Sequence, residues 1–590
     1  MKKILATFFL CLCASAASAA PAIYYADLTH GPNTGGQDNK GAFITIWGRG
    51  FGSTRGSSAI TVGGGAVDSY PVWSETKVSF QLGPNAATGY IVITVNNETA
   101  STQDCNPSMQ FTVNNDMEIY FVDGEIDSGG SGTYASPWTT PRDWIDHLES
   151  RGDDIGDILY FRAGTYTGGY GETAWNAACF MLTNEHRGSS VAPVAYVAYP
   201  GETVTITNGS SRPCFQLSKG SPNTGSDYTT ISQFVLNHGN SEGVCSCGTD
   251  RDTEEGAVYM RVVGCEINGN YGSANTMTGL IQISGDHNYI FGCDFENDAP
   301  SAINNNHAVY IQGGADNAKV AYNYFHSMKM GHVIQTHSDG GGHLVYENIH
   351  IYNNLLSMDA VRDTRGISIS LLDPDSTEYI YNNIFDTLGQ NFSAITVYNG
   401  YVHIYNNTFY NINAESASSA AIIVSDGGYG GGNSHPYPQV WNNILWADSN
   451  SAYLFADRGG TFTSLGNNCY YGNGSQIFPV GGQADSHPLN NTDPGLSAPG
   501  NGDFTLSSSG SAAKDAGIDG SSVISELVTD FTNQPRSGMD SIGAYEYGSQ
   551  PTQSTPTESS STPSDSGCFI RNLILINQKT RNRIAIPGLN

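Results

Sequence analysis

Positive charge is what this chain has least of. Against 55 Asp and Glu it sets 25 Lys and Arg, for a formal net charge of −30. A general surface for nucleic acid or for an anionic membrane is thereby excluded, since both need a basic footprint. Cysteine is thin and scattered: 11 residues, with no CxxC pair and no His/Cys spacing of the kind that holds zinc. Cys245-Ser246-Cys247 is an isolated CxC. Past Ala20 no apolar run is long enough to cross a bilayer, and Leu573-Ile574-Leu575-Ile576 is far too short. Helical periodicity is nearly missing; only Pro141 to Ser150 reads as a short helix.

What the chain does have is glycine and aromatic side chains, 70 Gly with 33 Tyr and 23 Phe, a composition that suits strands joined by many turns. At 590 residues it is also too long for one compact core. From Val262 to Cys469 a short pattern returns: apolar or aromatic residues, an Asn, then apolar residues again. It reads Tyr322-Asn323-Tyr324, Tyr352-Asn353-Asn354, Tyr381-Asn382-Asn383, Tyr405-Asn406-Asn407 and Trp441-Asn442-Asn443. With Cys265, Cys293, Asn323, Asn353, Asn382, Asn406, Asn442 and Asn467 as equivalents, the shortest step is 24 (Asn382 to Asn406) and the longest 36 (Asn406 to Asn442). A period in this range marks a solenoid or propeller. Short strands that each bury one side, with variable spacing, predict an all-β parallel β-helix whose coils stack about 4.8 Å apart. The Asn residues then serve tight corners and stacked amides. Cys265 and Cys293, one coil apart, stack as buried thiols or form a bond.

Residues 1–19 open with Lys2-Lys3, run apolar to Ala14 and reach Ala17-Ser18-Ala19, the pattern of a secretory leader. The expectation is a secreted protein, free or held at the cell surface. Residues 20–115 carry short strands at sandwich spacing, including Phe43 to Trp47, Lys77 to Phe80 and Tyr90 to Val95. With Gly48-Arg49-Gly50-Phe51-Gly52, Val62-Gly63-Gly64 and Trp73-Ser74 this segment resembles the immunoglobulin-like IPT/TIG family, which implies a spacer or binding module.

Residues 116–548 make the solenoid. Asp157 to Tyr166 and Ala195 to Glu202 resemble the opening coils of right-handed parallel β-helix proteins of the pectate-lyase superfamily, with the Pro141 helix as the cap of the open end. Asp493-Pro494-Gly495, Asp515-Ala516-Gly517, Asp530, Pro535-Arg536 and Asp540 to Glu546 resemble the closing segment of secreted β-helix proteins of the choice-of-anchor Q type. Residues 549–567 form a Ser/Thr/Pro-rich linker. The tail, 568–590, begins like a CFI-type carboxy-terminal box and departs from it after Ile570.

Reactive side chains crowd between Asn305 and Asp375. Strand alternation sorts them, because one side must fill the core. If Val309 and Ile311 point in, Tyr310 and Gln312 point out. Ile334 inward puts Gln335 and His337 outside and draws His332 in. Ile367 and Ile369 inward leave Ser368 and Ser370 outside, and the next coil adds Thr396 and Tyr398. Stacking then predicts an outer row of Tyr310, Gln335, Ser368 and Thr396, with His337 and Arg365 at its edge. Such a groove suits sugar rings and their hydroxyls.

Within it His337 is the candidate base, with His326 an alternative. Arg365 or Arg362, or Lys329, would clamp a carboxylate, and Tyr310 would act as sugar platform or acid. Gln312, Gln335, Ser368, Thr396 and Tyr398 would line the substrate. Asp373-Pro374-Asp375 offers oxygen ligands for calcium, with a solvated turn as the competing use. His307 and His332, at strand starts, read as structural.

The superfamily resemblance brings no catalytic motif with it. The Gly-His-Gly and paired Asp of polygalacturonases are missing, as are the Trp-Ile-Asp-His of the best-known pectate lyases and the Asn-Lys-Ser of the alginate-lyase-like β-helix family. Two function classes therefore stand. One is a carbohydrate-active enzyme, a polysaccharide lyase or glycoside hydrolase, acting on uronate-containing polysaccharide. The other is a non-catalytic surface protein that binds glycans through the β-helix and the TIG module.

Overall fold

The computed structural model describes residues 20–549 apart from short segments, among them 218–224, 247–255, 270–277, 338–344, 358–364, 371–374 and 426–435. The leader at 1–19, the linker from 550 onward and the tail at 568–590 lie outside the described residues.

Runs of Val, Ile and aromatic residues, two to nine long and broken by Gly and Asn, build three parallel sheets of 12 strands each. The first sheet runs from Ile119–Val122 to Ser464–Gly466, the second from Gly164–Tyr166 to Leu489–Asn490, and the third from Tyr170–Gly171 to Gln476–Phe478. Every strand pairs with its counterpart one coil on, so side chains of one kind line up along the axis. In the first sheet Val262, Ile290, Val320, Ile351, Ile380, Ile404, Val440 and Leu465 form one unbroken inward column. This is a right-handed parallel β-helix, the hand that parallel crossovers take. Helix α1, Pro141–Arg151, buries Trp144, Ile145 and Leu148 against the first coils and so covers the open end of the core.

Two adjacent corner residues divide the work expected of one Asn, and the repeat alignment shifts by a residue as a result. Asn353, Asn382, Asn406, Asn442 and Asn467 occupy the left-handed region, φ 52 to 58°. The residue after each points inward and builds the amide ladder. Asn323 donates to Asn354 Oδ1, Asn354 to Asn383, Asn383 to Asn407, Asn407 to Asn443 and Asn443 to Asn468, each at 3.0 Å. Cys265, Cys293 and Asn323 belong to this inner set, the Cys293 amide donating to Asn323 Oδ1 at 2.9 Å. Both thiols are buried and free.

Outside the same corner, Gly264 and Gly292 hold the left-handed position where the N-terminal module presses on the backbone. A Cβ on Gly264 would sit 2.6 Å from Trp47, and one on Gly292 would run into the Tyr25 ring. The module is a sandwich. Ala22–Ala26, Phe43–Arg49, Lys77–Gln81 and Ser69–Trp73 make one sheet; the other is centred on Ala59–Val62, Gly89–Val95 and Gln110–Val113. Buried Asp27 ties it to the solenoid, accepting from the Leu28 and Thr45 amides and from the side chains of Ser232 and Gln233. Burial pushes that carboxyl up to about 6.

Farther along, the closing segment from Asp493 takes over as cover. Phe504, Leu527, Phe531 and Tyr545 pack on Tyr322, Tyr352, Tyr381 and Tyr405. The outer Asn side chains donate to its backbone, Asn382 to Thr529, Asn406 to Ser541, Asn442 to Ile518 and Asn467 to Ala516.

Candidate functional site

The row expected on the third sheet exists in register. Tyr310 stands opposite Gln335, Gln335 opposite Ser368, and Ser368 opposite Thr396, while Val309, Ile334, Ile367 and Ile395 face the core. As described, the row is covered rather than open. Tyr310 is 0% exposed and His337 7%, and Gln312, Gln335, Ser368 and Thr396 are buried as well. Alternation decides which side of a sheet a residue faces; it does not decide what lies over that side. Arg365 is exposed and Tyr398 partly so.

A second correction concerns His332, expected inside. Its Nε2 lies 3.4 Å from Arg365 Nη1, and its ring stacks on His307, centroids 5.4 Å apart. His307 in turn stacks on Tyr310 at 4.8 Å, and Tyr310 Oη is 3.2 Å from His337 Nδ1. Strict alternation fails at this point because two consecutive residues face the core, Ala308 with Val309 and Val333 with Ile334. The residue three positions before Tyr310 or Gln335 therefore returns to its side. His307 and His332, read as structural from the sequence, complete the cluster. The signal was present: His307 to His332 spans 25 residues, as Tyr310 to Gln335 does.

Burial, with the nearby charges of Arg365 and His337, lowers His332 to about 3, and burial holds His307 well below the usual imidazole range. Both are neutral at physiological pH. Since a guanidinium only donates, His332 Nε2 accepts and its proton sits on Nδ1. Among the described residues that Nδ1, both ring nitrogens of His307 and both amide atoms of Gln312 have no hydrogen-bond partner of normal geometry. Buried polar atoms left so are uncommon, and a cluster of them is unused capacity for a polar ligand.

The remaining candidates are not part of this cluster as described. His326 lies on the second sheet, stacked on Tyr324 and 2.8 Å from Asp294. Arg362, Lys329 and Asp373 lie outside the described residues. Asp375 is exposed in a turn. Glu118, His147 and Asp157 converge within 4.8 Å, but Arg151 already pairs with both carboxylates.

Fold and site together define a solenoid of the parallel β-helix class carrying a sandwich module. Residues 29–113 match the IPT/TIG domain family. Among solved structures, the complex of XylC with xylose is similar over 73% of this chain and 99% of its own, with 10% identity and a TM-score of 0.44. Pectate lyase Pel9A is similar over 73% and 96%, with 14% identity and a TM-score of 0.39. The A-module of the Azotobacter vinelandii mannuronan C-5 epimerase AlgE4 is similar over 62% and 99%, with 14% identity and a TM-score of 0.42. No curated protein matches the chain. The architecture rests on the chain's own hydrogen-bonded ladders.

Proposed function

We propose that this protein is an exported carbohydrate-active enzyme that cleaves a uronate-containing polysaccharide by β-elimination. The observation that carries the reading is the hydrogen-bonded pair Tyr310–His337, 3.2 Å apart, in one cluster with Arg365. Elimination needs three things: a base for the proton α to the carboxylate, a cation for the negative charge that develops there, and an acid for the leaving oxygen. Arg365, at the exposed rim, receives the carboxylate. His337 takes the α-proton, the electron pair forms the new double bond, and the bond from the β carbon to the glycosidic oxygen breaks. Tyr310 gives its proton to that oxygen, and the imidazolium of His337 restores it through their hydrogen bond, which returns both groups to their starting state.

The test is ultraviolet absorbance of the unsaturated product on a panel of uronate polymers, for the wild type and for Tyr310→Phe, His337→Gln and Arg365→Ala. Activity in the wild type that each change cuts by at least about a hundredfold supports the assignment. Activity that survives all three refutes it. One observation favours the rival reading of a non-catalytic glycan-binding surface protein: every proposed reacting group except Arg365 is buried. A wild type inactive on every polymer yet retained by one of them moves the conclusion there.

A further inference from the structure

The N-terminal module and the first sheet line a cavity of about 420 Å³, on a different sheet from the Tyr310 cluster. The module contributes His30, Asn106 and Met109 to its wall, and the solenoid contributes Tyr228, Tyr259 and Arg261. In a chain of net charge −30, no residue of that wall is acidic.

Arg261 is the first unusual feature. Its Nη2 donates to the Ala26 carbonyl of the module at 2.8 Å, its guanidinium lies over Tyr289 and Phe291, and its buried Nε has no partner. The same outward column of the first sheet carries Tyr289 one coil on and Lys319 two coils on. There the closing segment supplies Glu526, 2.8 Å from the Lys319 ammonium. Over Arg261 the module supplies the Ala26 carbonyl in contact and a carboxylate only at longer range, that of Asp27, whose oxygens are already engaged by Leu28, Thr45, Ser232 and Gln233. A desolvated guanidinium that no carboxylate among the described residues touches is costly, and an anion in contact with it would offset that cost.

The second feature is a stack of rings two residues before that column. Tyr228 lies 4.6 Å from Tyr259, and Tyr259 lies 4.6 Å from His287. All three hold left-handed φ angles of 52, 56 and 57°. The next two coils place Asn317 and Asn348 at this corner, the residue type that tolerates the conformation. A bulky residue with positive φ is strained, and three in a row put rings where the backbone prefers Asn. Tyr259 is 38% exposed at the cavity mouth.

We propose that this cavity is a second carbohydrate-binding site, one that takes an acidic sugar unit. Its carboxylate meets Arg261, and the edge of the Tyr228–Tyr259–His287 stack supports the ring. The TIG module thereby becomes half of a binding site. The polymer class is the one named under Proposed function, but the site binds whether or not the Tyr310 cluster is catalytic.

Calorimetric titration of the full chain with a defined oligouronate tests this, beside a neutral oligosaccharide of equal length and a sulfated one. Tyr259→Ala and Arg261→Gln are each expected to weaken oligouronate binding at least about tenfold, with thermal unfolding used to verify that both variants fold. If Arg261→Gln loosens the module, Tyr259→Ala decides alone, because its ring touches no module residue through a hydrogen bond. His337→Gln is expected to leave this binding unchanged, which separates the site from the elimination chemistry. Undiminished binding in a folded Tyr259→Ala, equal affinity for the neutral or sulfated oligomer, or no binding by the wild type each overturns the proposal.

Discussion

Arg365 Nη1 donates to His332 Nε2 across two neighbouring coils, at 3.4 Å, and this one contact fixes a protonation state. A guanidinium cannot accept, so His332 carries its proton on Nδ1 and stays neutral, with its pKa lowered to about 3 by burial first and by Arg365 second. In histidine-labelled protein at pH 5, nitrogen resonances are expected to report a neutral, Nδ1-protonated ring. An imidazolium signal from His332 at that pH would contradict the contact.

The same shift makes stability depend on pH. Between about 3 and 6.5 the unfolded His332 binds a proton that the folded one refuses. Stability therefore falls as pH drops through that window and is undiminished above it. Thermal unfolding midpoints measured from pH 7 to pH 4 should fall less steeply for His332→Gln than for the wild type.

Glu378 runs the other way. It sits wholly buried in an inward position of the first sheet, between Ile349 and Val402. Among the described residues neither carboxyl oxygen has a hydrogen bond of normal geometry, and burial pushes it up to about 8, with Thr336 acting in the opposite direction. From pH 4.5 to 8 the folded state holds a proton that the unfolded state has released, so stability is lost as pH rises through that range. Glu378→Gln, which keeps the shape and cannot ionise, is expected to raise the unfolding temperature at pH 8 and to change it much less at pH 5.

Asn383 tests the inner ladder. Its side chain donates to the Ile351 carbonyl at 2.8 Å and to Asn407 at 3.0 Å, and it accepts from the amide and the side chain of Asn354. Asn383→Ala leaves these buried groups unpaired and should cost about 2–4 kcal/mol in chemical denaturation. Asn382→Gly, one residue earlier, keeps the left-handed corner but loses the bond to the Thr529 carbonyl and the one accepted from the buried Arg536 Nη2, so a cost of about 1–2 kcal/mol is expected.

The sequence spelled out the solenoid because apolar side chains recur with a period that only stacked coils can bury, and the row Tyr310–Gln335–Ser368–Thr396 followed from that period and strand alternation. It concealed two things. At the corners, Asn-Asn pairs such as Asn353-Asn354 hold two different roles, and pattern matching has no means of choosing between them when a coil carries only one Asn, as at Asn323. On the third sheet, paired inward residues such as Ala308-Val309 reverse the alternation for His307, and that break depends on packing across the core. Burial of His337 and Tyr310 was out of reach for the same reason: what covers a sheet is a tertiary fact. The cavity beside Arg261 arises from the docking of two modules, each legible alone.

Asp530 organises the closing segment and gives the last prediction. Wholly buried, it accepts from the Thr532 and Gln534 amides at 2.8 and 2.9 Å, from the Glu546 amide at 3.0 Å and from the Ser549 hydroxyl. Asp530→Ala orphans these donors together, a loss of about 3 kcal/mol or more. Because each coil contacts chiefly its neighbours, the loss should stay local: the closing segment loosens, the aromatic strip of Tyr352, Tyr381 and Tyr405 beneath it opens to solvent, and the three sheets persist. Limited proteolysis should then cut within 493–549 well before the coils, with a rise in binding of a hydrophobic dye. Should the segment resist protease as well as it does in the wild type, its attachment rests on the Asn382, Asn406, Asn442 and Asn467 contacts rather than on Asp530.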